Sequence, residues 1–277
     1  MSSPKTLLIT GANSGFGLAL AREALSVGHR VVGTVRTEQA RADLEALAPG
    51  QCFGRLLDVT AFDAIPGVVE EIEASVGPLD VLVNSAGYGH EGILEESPLD
   101  AMRRQFEVNV VGAVAMIQAV LPHMRERRRG HILNITSMGG YITMPGIAYY
   151  CGSKFALEGI SDALGKEVEG FGIAVTAVAP GSFRTDWAGR SMVRSPRSIA
   201  DYDALFDPLR QARQEKSGKQ LGDPQKAAQA MLAAIGASVP PRHLLLGSDA
   251  LGLVRQKLSA LQDEITQWEA FSRSTDG

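Results

Sequence analysis

The chain has 277 residues, 45% of them hydrophobic and 21% charged, enough apolar material for one large core and unlike a disordered or low-complexity polymer. A formal charge of −4 argues against a nucleic-acid surface as the main partner. Two cysteines, Cys52 and Cys151, provide no disulfide framework, so a reducing, cytoplasmic location is expected, and Cys151 reads as packing rather than as a nucleophile.

The apolar run after Met1–Lys5 is too short for a signal peptide or a membrane span, and no membrane association is expected. Leu7-Leu8-Ile9, ending at Thr10, has no polar alternation, which suits a strand buried on both faces of a parallel sheet. Gly11, Asn13, Ser14, Gly15, Phe16 and Gly17 then lead into a helical pattern over 18–27. Glycines let such a turn pass close to a ligand, and the helix start offers N–H groups and a positive dipole end to an anion such as a pyrophosphate. The Gly-x3-Gly-x-Gly spacing differs from the common Gly-x-Gly-x-x-Gly, and a glycine turn can also be no more than a tight connection.

Residues 30–35 read as a second strand followed by Arg36, 38–47 as a helix, and 52–57 as a third strand ending at Asp58 and Val59. A helix over 61–76 and a fourth strand over 79–83 lead into Asn84-Ser85-Ala86-Gly87. A long helix is expected over 98–127 with Asn109 in its middle, and the basic run Arg125–Arg129 reads as its solvated end. A fifth strand over 131–135 runs into Ser137, a helix carrying Tyr150 and Lys154 extends to about 170, and a sixth strand over 173–178 stops at Pro180-Gly181. Residues 182–222 lack a clean period and are expected to cover a substrate site. A helix over 224–235, a seventh strand over 243–246 and a helix over 249–271 complete the chain.

Strands alternating with helices point to an α/β, doubly wound Rossmann fold: a mostly parallel seven-stranded sheet with helices on both faces, in one domain spanning 1–277. In such sheets ligands sit beyond the carboxyl ends of the strands. Thr10, Asp58, Asn84 and Ser137 all fall there.

The chemistry concentrates at Tyr150-Cys151-Gly152-Ser153-Lys154. A phenol and an ammonium four residues apart share one side of a helix. A free tyrosine titrates near ~10 and is a poor proton shuttle at neutral pH; an adjacent cation should lower that value. The Ser137 hydroxyl could polarise the oxygen whose proton Tyr150 exchanges. Alone, the pattern occurs by chance on many helices and reads more readily as a packed tyrosine beside a solvated lysine.

Taken together, Thr10-Gly11-x3-Gly15-x-Gly17, Asn84-Ser85-Ala86-Gly87, the set Asn109, Ser137, Tyr150 and Lys154 in order and spacing, and Pro180-Gly181 with Thr185 resemble the compact branch of the short-chain dehydrogenase/reductase family over nearly the whole chain. Ser85 departs from that family's usual second asparagine. The resemblance implies an oxidoreductase that moves a hydride between a nicotinamide dinucleotide and a small carbonyl or secondary alcohol. Tyr150 would be general acid or base, Ser137 would hold the substrate oxygen, Lys154 would tune Tyr150 and bind the nicotinamide ribose, and Asn109 would support a proton-relaying water. Cofactor contacts would come from Thr10, Gly11, Asn13, Ser14, Gly15, Phe16, Gly17, Asp58, Val59, Asn84, Ala86, Gly87, Pro180, Gly181 and Thr185, together with Tyr150 and Lys154.

Where NAD-selecting members place an acid after the second strand, this chain has Val35 and then Arg36, so NADP(H) is expected to be preferred, with NAD(H) the alternative. No metal is expected. The resemblance also implies a homodimer or homotetramer built through the helices at 98–127 and 150–170. Phe183, Trp187, Met192, Tyr202 and Phe206 point to an apolar substrate or, equally, to the cover's own core. The competing readings are a nucleotide-sugar epimerase or dehydratase, which usually carries a larger C-terminal domain, and a non-catalytic NADP-sensing protein, whose mark would be a lost tyrosine or lysine.

Overall fold

The computed structural model describes residues 3–277. In chain order its elements begin with β1 (Thr6–Thr10), α1 (Gly15–Ser26), β2 (Arg30–Val35), α2 (Glu38–Glu45), β3 (Cys52–Leu56), α3 (Ile65–Ser75) and β4 (Val81–Asn84). They continue with β5 (Gly89–Glu91), α4 (Leu99–Phe106), α5 (Gly112–Arg127), β6 (Gly130–Ile135), α6 (Ala148–Val168) and β7 (Ile173–Pro180). The remainder is β8 (Met192–Arg194), α7 (Asp203–Glu215), α8 (Pro224–Gly236), β9 (His243–Leu246) and α9 (Ser248–Arg273).

Seven strands form one sheet in the order β3-β2-β1-β4-β6-β7-β9, and every neighbouring pair is parallel. The central strands β1 and β4 are buried along their whole length, without apolar–polar alternation, because both faces are covered. In β1, Leu7 and Ile9 join the core under α1 and α8, with Leu20, Ala24, Ala228 and Met231. Leu8 turns to the opposite core under α3, α5 and α6, with Ile72, Met116, Val120 and Leu164. Strand order runs outward in opposite directions from the β1/β4 pair, so a crevice opens beyond their carboxyl ends.

Two departures from the expected elements bear on the site. The helix over 98–127 is interrupted at Glu107–Val111 by a single π-helical turn, a local widening that often marks functional positions; Asn109 lies inside it. The 182–222 segment is less irregular than its composition suggests. It contains α7 and contributes β8, which pairs with β5 in a separate two-stranded parallel sheet.

The basic run is also more than a solvated end. Arg127 forks onto Glu73 at 2.7 and 2.9 Å and tethers α5 to α3, while Arg129 reaches Asp80 at 3.2 Å. Leu99–Arg127 is long and apolar enough to cross a membrane by length and composition. Its α5 portion instead forms a layer of this fold through Met116, Val120 and Met124.

Candidate active site

A cleft of about 1070 Å³ lies along the carboxyl edge of the sheet. One end is a cradle built by the first turn. The Thr10 hydroxyl accepts the N–H groups of Ser85 and Ala86 at 3.0 Å each, tying the ends of β1 and β4 together. Gly11 follows with φ +65°, and a Cβ there would stand 3.0 Å from the Ala86 Cα. A Cβ on Gly17 would stand 2.5 Å from the Gly11 carbonyl oxygen. Glycine is therefore required at both, by backbone conformation at Gly11 and by close approach at both.

Helix α1 opens behind Ser14, whose side chain makes no capping bond, and no acid occupies the first turn. Its N–H groups and positive dipole end are left for an anion. Arg36 lines the rim after β2, and Asp58 lines it after β3. Burial works to raise the Asp58 pKa, yet the N–H and hydroxyl of Thr60, with the charges of Arg104 and Arg36, leave it below the ordinary carboxylate value. The uncapped helix start and the glycine approach fit the phosphates of a dinucleotide.

The other end of the cleft holds the proton-transfer groups. Ser137 opens a short turn after β6 and accepts the Gly139 N–H at 3.0 Å. Tyr150 sits in the first turn of α6 with its phenol beside the Ser137 hydroxyl. Lys154, one turn on, donates to the Ile135 carbonyl at 2.8 Å, with its ammonium 5.8 Å from the Tyr150 ring centroid. Both Tyr150 and Lys154 are buried.

Burial pushes the Tyr150 phenol above its ordinary value, against the pull of the Ser137 hydroxyl. Burial also draws the Lys154 ammonium down to about 8, opposed by Glu158. The expected lowering of the phenol by Lys154 is thus not met in this structure. Desolvation outweighs a cation whose hydrogen bond goes to a carbonyl rather than to the phenol oxygen.

Behind this pair lie two buried polar networks. Asn109, in the widened turn, accepts the Tyr88 N–H at 3.1 Å and donates to the Tyr88 carbonyl and the Ser153 hydroxyl, each at 3.1 Å. It clamps the loop after β4 to α6. Glu158, one turn beyond Lys154, takes bonds from the Thr136 hydroxyl and, at 2.8 Å, from Tyr141, and lies 3.3 Å from His243 Nδ1. This leads from the half-exposed His243 inward to the turn that carries Lys154.

The 182–222 segment closes the cleft from above. The Trp187 ring packs on Tyr150 with centroids 4.9 Å apart. Two shielded carboxylates anchor the segment. Glu91 pairs with Arg194 and Arg213 at 2.7 Å and with Arg210 at 3.5 Å. Glu96 takes the N–H groups of Ser198 and Ile199 at 2.6 and 2.7 Å and the Arg197 guanidinium at 2.9 Å; the Ser198 N–H foremost, then Ile199 and Arg197, hold its pKa down at about 2. Phe206 is fully buried beneath Arg197 and Arg210, so it belongs to the segment's own core, whereas Trp187 and Phe183 line the cleft.

Of the residues singled out from the sequence, Gly11, Asn13, Ser14, Gly15, Phe16, Arg36, Asp58, Val59, Ala86, Gly87, Ser137, Tyr150, Lys154, Pro180, Gly181 and Thr185 line this one cleft. Thr10, Gly17, Asn84 and Asn109 do not line it and act from behind. Asn84 donates to Asn134 at 2.9 Å inside the sheet. Sequence reasoning missed His90, which lines the cleft and bonds Ser195 at 2.9 Å, and Arg213, which faces the cleft from α7. Their partners lie 105 and 122 positions away, so no local pattern marks them. The buried Cys151 thiol is pushed up by desolvation, in keeping with packing.

A doubly wound parallel sheet with an anion cradle and a Ser–Tyr–Lys set in one cleft defines an oxidoreductase of the dinucleotide-binding kind. Residues 5–193 match the sequence profile of the short chain dehydrogenases, and the chain belongs to that family. It is 34% identical over 269 residues to the oxidoreductase BOA17 of Botryotinia fuckeliana, covering 97% of this chain and 98% of the relative. It is 35% identical to a 3-ketodihydrosphingosine reductase of Bacteroides thetaiotaomicron, covering 96% of each. It is also 35% identical to retinol dehydrogenase 8 of Homo sapiens, covering 87% and 80%. A crystal structure of a short-chain dehydrogenase from Streptomyces avermitilis superposes with a TM-score of 0.92 at 38% identity over all of both chains.

Proposed function

We propose that this protein, working as one domain over its length, interconverts an apolar ketone or aldehyde and the corresponding alcohol with NADP(H). The observation that carries the reading is the convergence of Ser137, Tyr150 and Lys154 in the cleft that also holds the glycine cradle. When bound, the nicotinamide dinucleotide supplies or accepts the hydride. Gly11 to Gly17 would hold its pyrophosphate, and Arg36, a guanidinium where an acid would repel a 2′-phosphate, favours NADP(H). Asp58 and Val59 would border the adenine end, and Pro180, Gly181 and Thr185 the nicotinamide end.

Ser137 donates its hydroxyl hydrogen to the substrate carbonyl oxygen, and Tyr150 gives that oxygen its proton in reduction or takes it back in oxidation. The Lys154 charge stabilises the phenolate left behind. Asn109 holds the Tyr88 loop and Ser153 in place around Lys154. Trp187, Met144 and Ile147 give the substrate end an apolar wall, and relatives named for retinol and ketodihydrosphingosine are consistent with a lipid-like substrate.

Two buried unpaired cysteines suit a cytoplasmic setting. The exposed apolar side chains Met102, Val111 and Phe155, on α4, the widened turn and α6, suit a homodimer or homotetramer. The deciding experiment is NADPH consumption over a panel of apolar carbonyls. Tyr150→Phe should lose about 10²–10⁴-fold in kcat, and an undiminished variant would sink the mechanism. Higher kcat/KM with NADH than with NADPH would sink the cofactor assignment alone.

A further inference from the structure

The last helix leaves the body of the protein. Only Ala250 and Val254 of α9 are buried, and every residue from Arg255 to Gly277 is exposed. Arg255–Arg273 therefore projects for roughly 28 Å at 1.5 Å per residue. Its apolar residues do not scatter. Leu251, Val254, Leu258, Leu261, Ile265 and Trp268 recur at alternating spacings of three and four, the seam of a two-stranded coiled coil. Leu258, Ile265 and Trp268 are each 54% exposed and Leu261 41%. The same seam passes through Val254, which is buried in the protein's own body, and then runs past its edge. Most helical stability in proteins comes from packing an apolar face, which this projecting stretch lacks within its own chain, and a row of apolar side chains this size is rarely left bare.

The charges beside the seam identify its occupant. With Leu258 and Ile265 at the first core position of the heptad, Lys257 and Glu264 fall on one flank and Arg255 and Glu269 on the other. In a parallel pair, Glu264 would face Glu269 of the second copy, like against like. In an antiparallel pair, Lys257 of each copy faces Glu264 of the other, and the contact forms twice by symmetry. A lipid surface suits the helix less well: from Arg255 onward there are three basic and four acidic side chains, without the basic face that anionic membranes attract.

We propose that α9 is a self-association element, pairing antiparallel with α9 of a second copy of this chain. This interface is separate from the one suggested for α4 and α6 and does not depend on the catalytic reading. The test is light scattering coupled to size exclusion on the full chain, with three variants. Leu261→Glu with Ile265→Glu should lower the assembly mass by half while leaving NADPH-dependent activity within twofold. Lys257→Glu should raise the dissociation constant of that step about tenfold, as expected for two contacts turned from attraction to repulsion, and adding Glu264→Lys should restore it.

The proposal is overturned if the double glutamate variant keeps the mass of the unmodified protein. It is equally overturned if the charge-swapped variant fails to recover, or if α9 carries the protein onto phosphatidylcholine–phosphatidylserine vesicles while the mass ignores all three variants.

Discussion

The indole ring of Trp187 packs on the phenol ring of Tyr150 at 4.9 Å between centroids, tilted by 52°. The two residues come from different parts of the fold, Tyr150 from a rigid helix on the sheet and Trp187 from the segment anchored by Glu91 and Glu96. The contact helps keep water from the phenol, whose pKa burial raises. Trp187→Ala should therefore raise KM for apolar substrates by about tenfold, the scale of a lost aromatic contact. It should also move the Tyr150 titration toward lower pH, as read from kcat/KM for alcohol oxidation.

The pH profiles of the two directions should differ. A phenol with a raised pKa stays protonated across the neutral range and is ready to act as an acid, so reduction should be flat up to about pH 8 and then fall as Lys154 loses its proton. Oxidation needs the phenolate and should rise with pH over the same interval. Initial rates in each direction from pH 6 to 10 check both limbs.

Lys154 should cost stability while it supports activity. Its folded pKa of about 8 lies below the unfolded value near ~10.4, so the unfolded chain binds more protons between them and stability rises with pH there. The cost is full below pH 8. Lys154→Met should abolish turnover yet raise Tm at pH 7 by about 2–4 °C, with the gain shrinking by pH 10 in thermal melts.

Glu158 counters the effect of burial on Lys154. Glu158→Gln keeps the shape but removes the charge, so Lys154 should titrate lower and the alkaline limb of reduction should shift to lower pH. A purely structural role for Glu158 would change Tm without moving that limb.

Glu96 holds the 182–222 segment through Ser198, Ile199 and Arg197. With its folded pKa depressed to about 2, its contribution is present above the unfolded value near ~4.3 and is lost as pH falls toward 2. Glu96→Gln should loosen the segment at neutral pH, seen as faster proteolysis around residues 196–202 and a higher substrate KM with the sheet core intact.

Strand and helix order, the glycine turn and the Tyr150–Lys154 spacing were legible because each is a local signal. Burial on two faces removes alternation from β1, φ above zero and close approach demand glycine at Gly11, and one helical turn separates Tyr150 from Lys154. Arg36 was legible for the same reason, as a single charge at a strand end. The interruption at Asn109 was not, because the apolar pattern of 98–127 runs through Glu107–Val111 without a residue that marks a π turn.

The anchoring of the 182–222 segment depends on Glu91 and Glu96 meeting arginines about 100 positions away, and His90 reaches the cleft in the same way. The sign of the Tyr150 shift also belonged to tertiary structure alone. Sequence places a cation one turn from the phenol, but only the packed core determines how far both are removed from water and where the Lys154 hydrogen bond points. Local spacing thus determined which groups could meet, and burial determined their protonation.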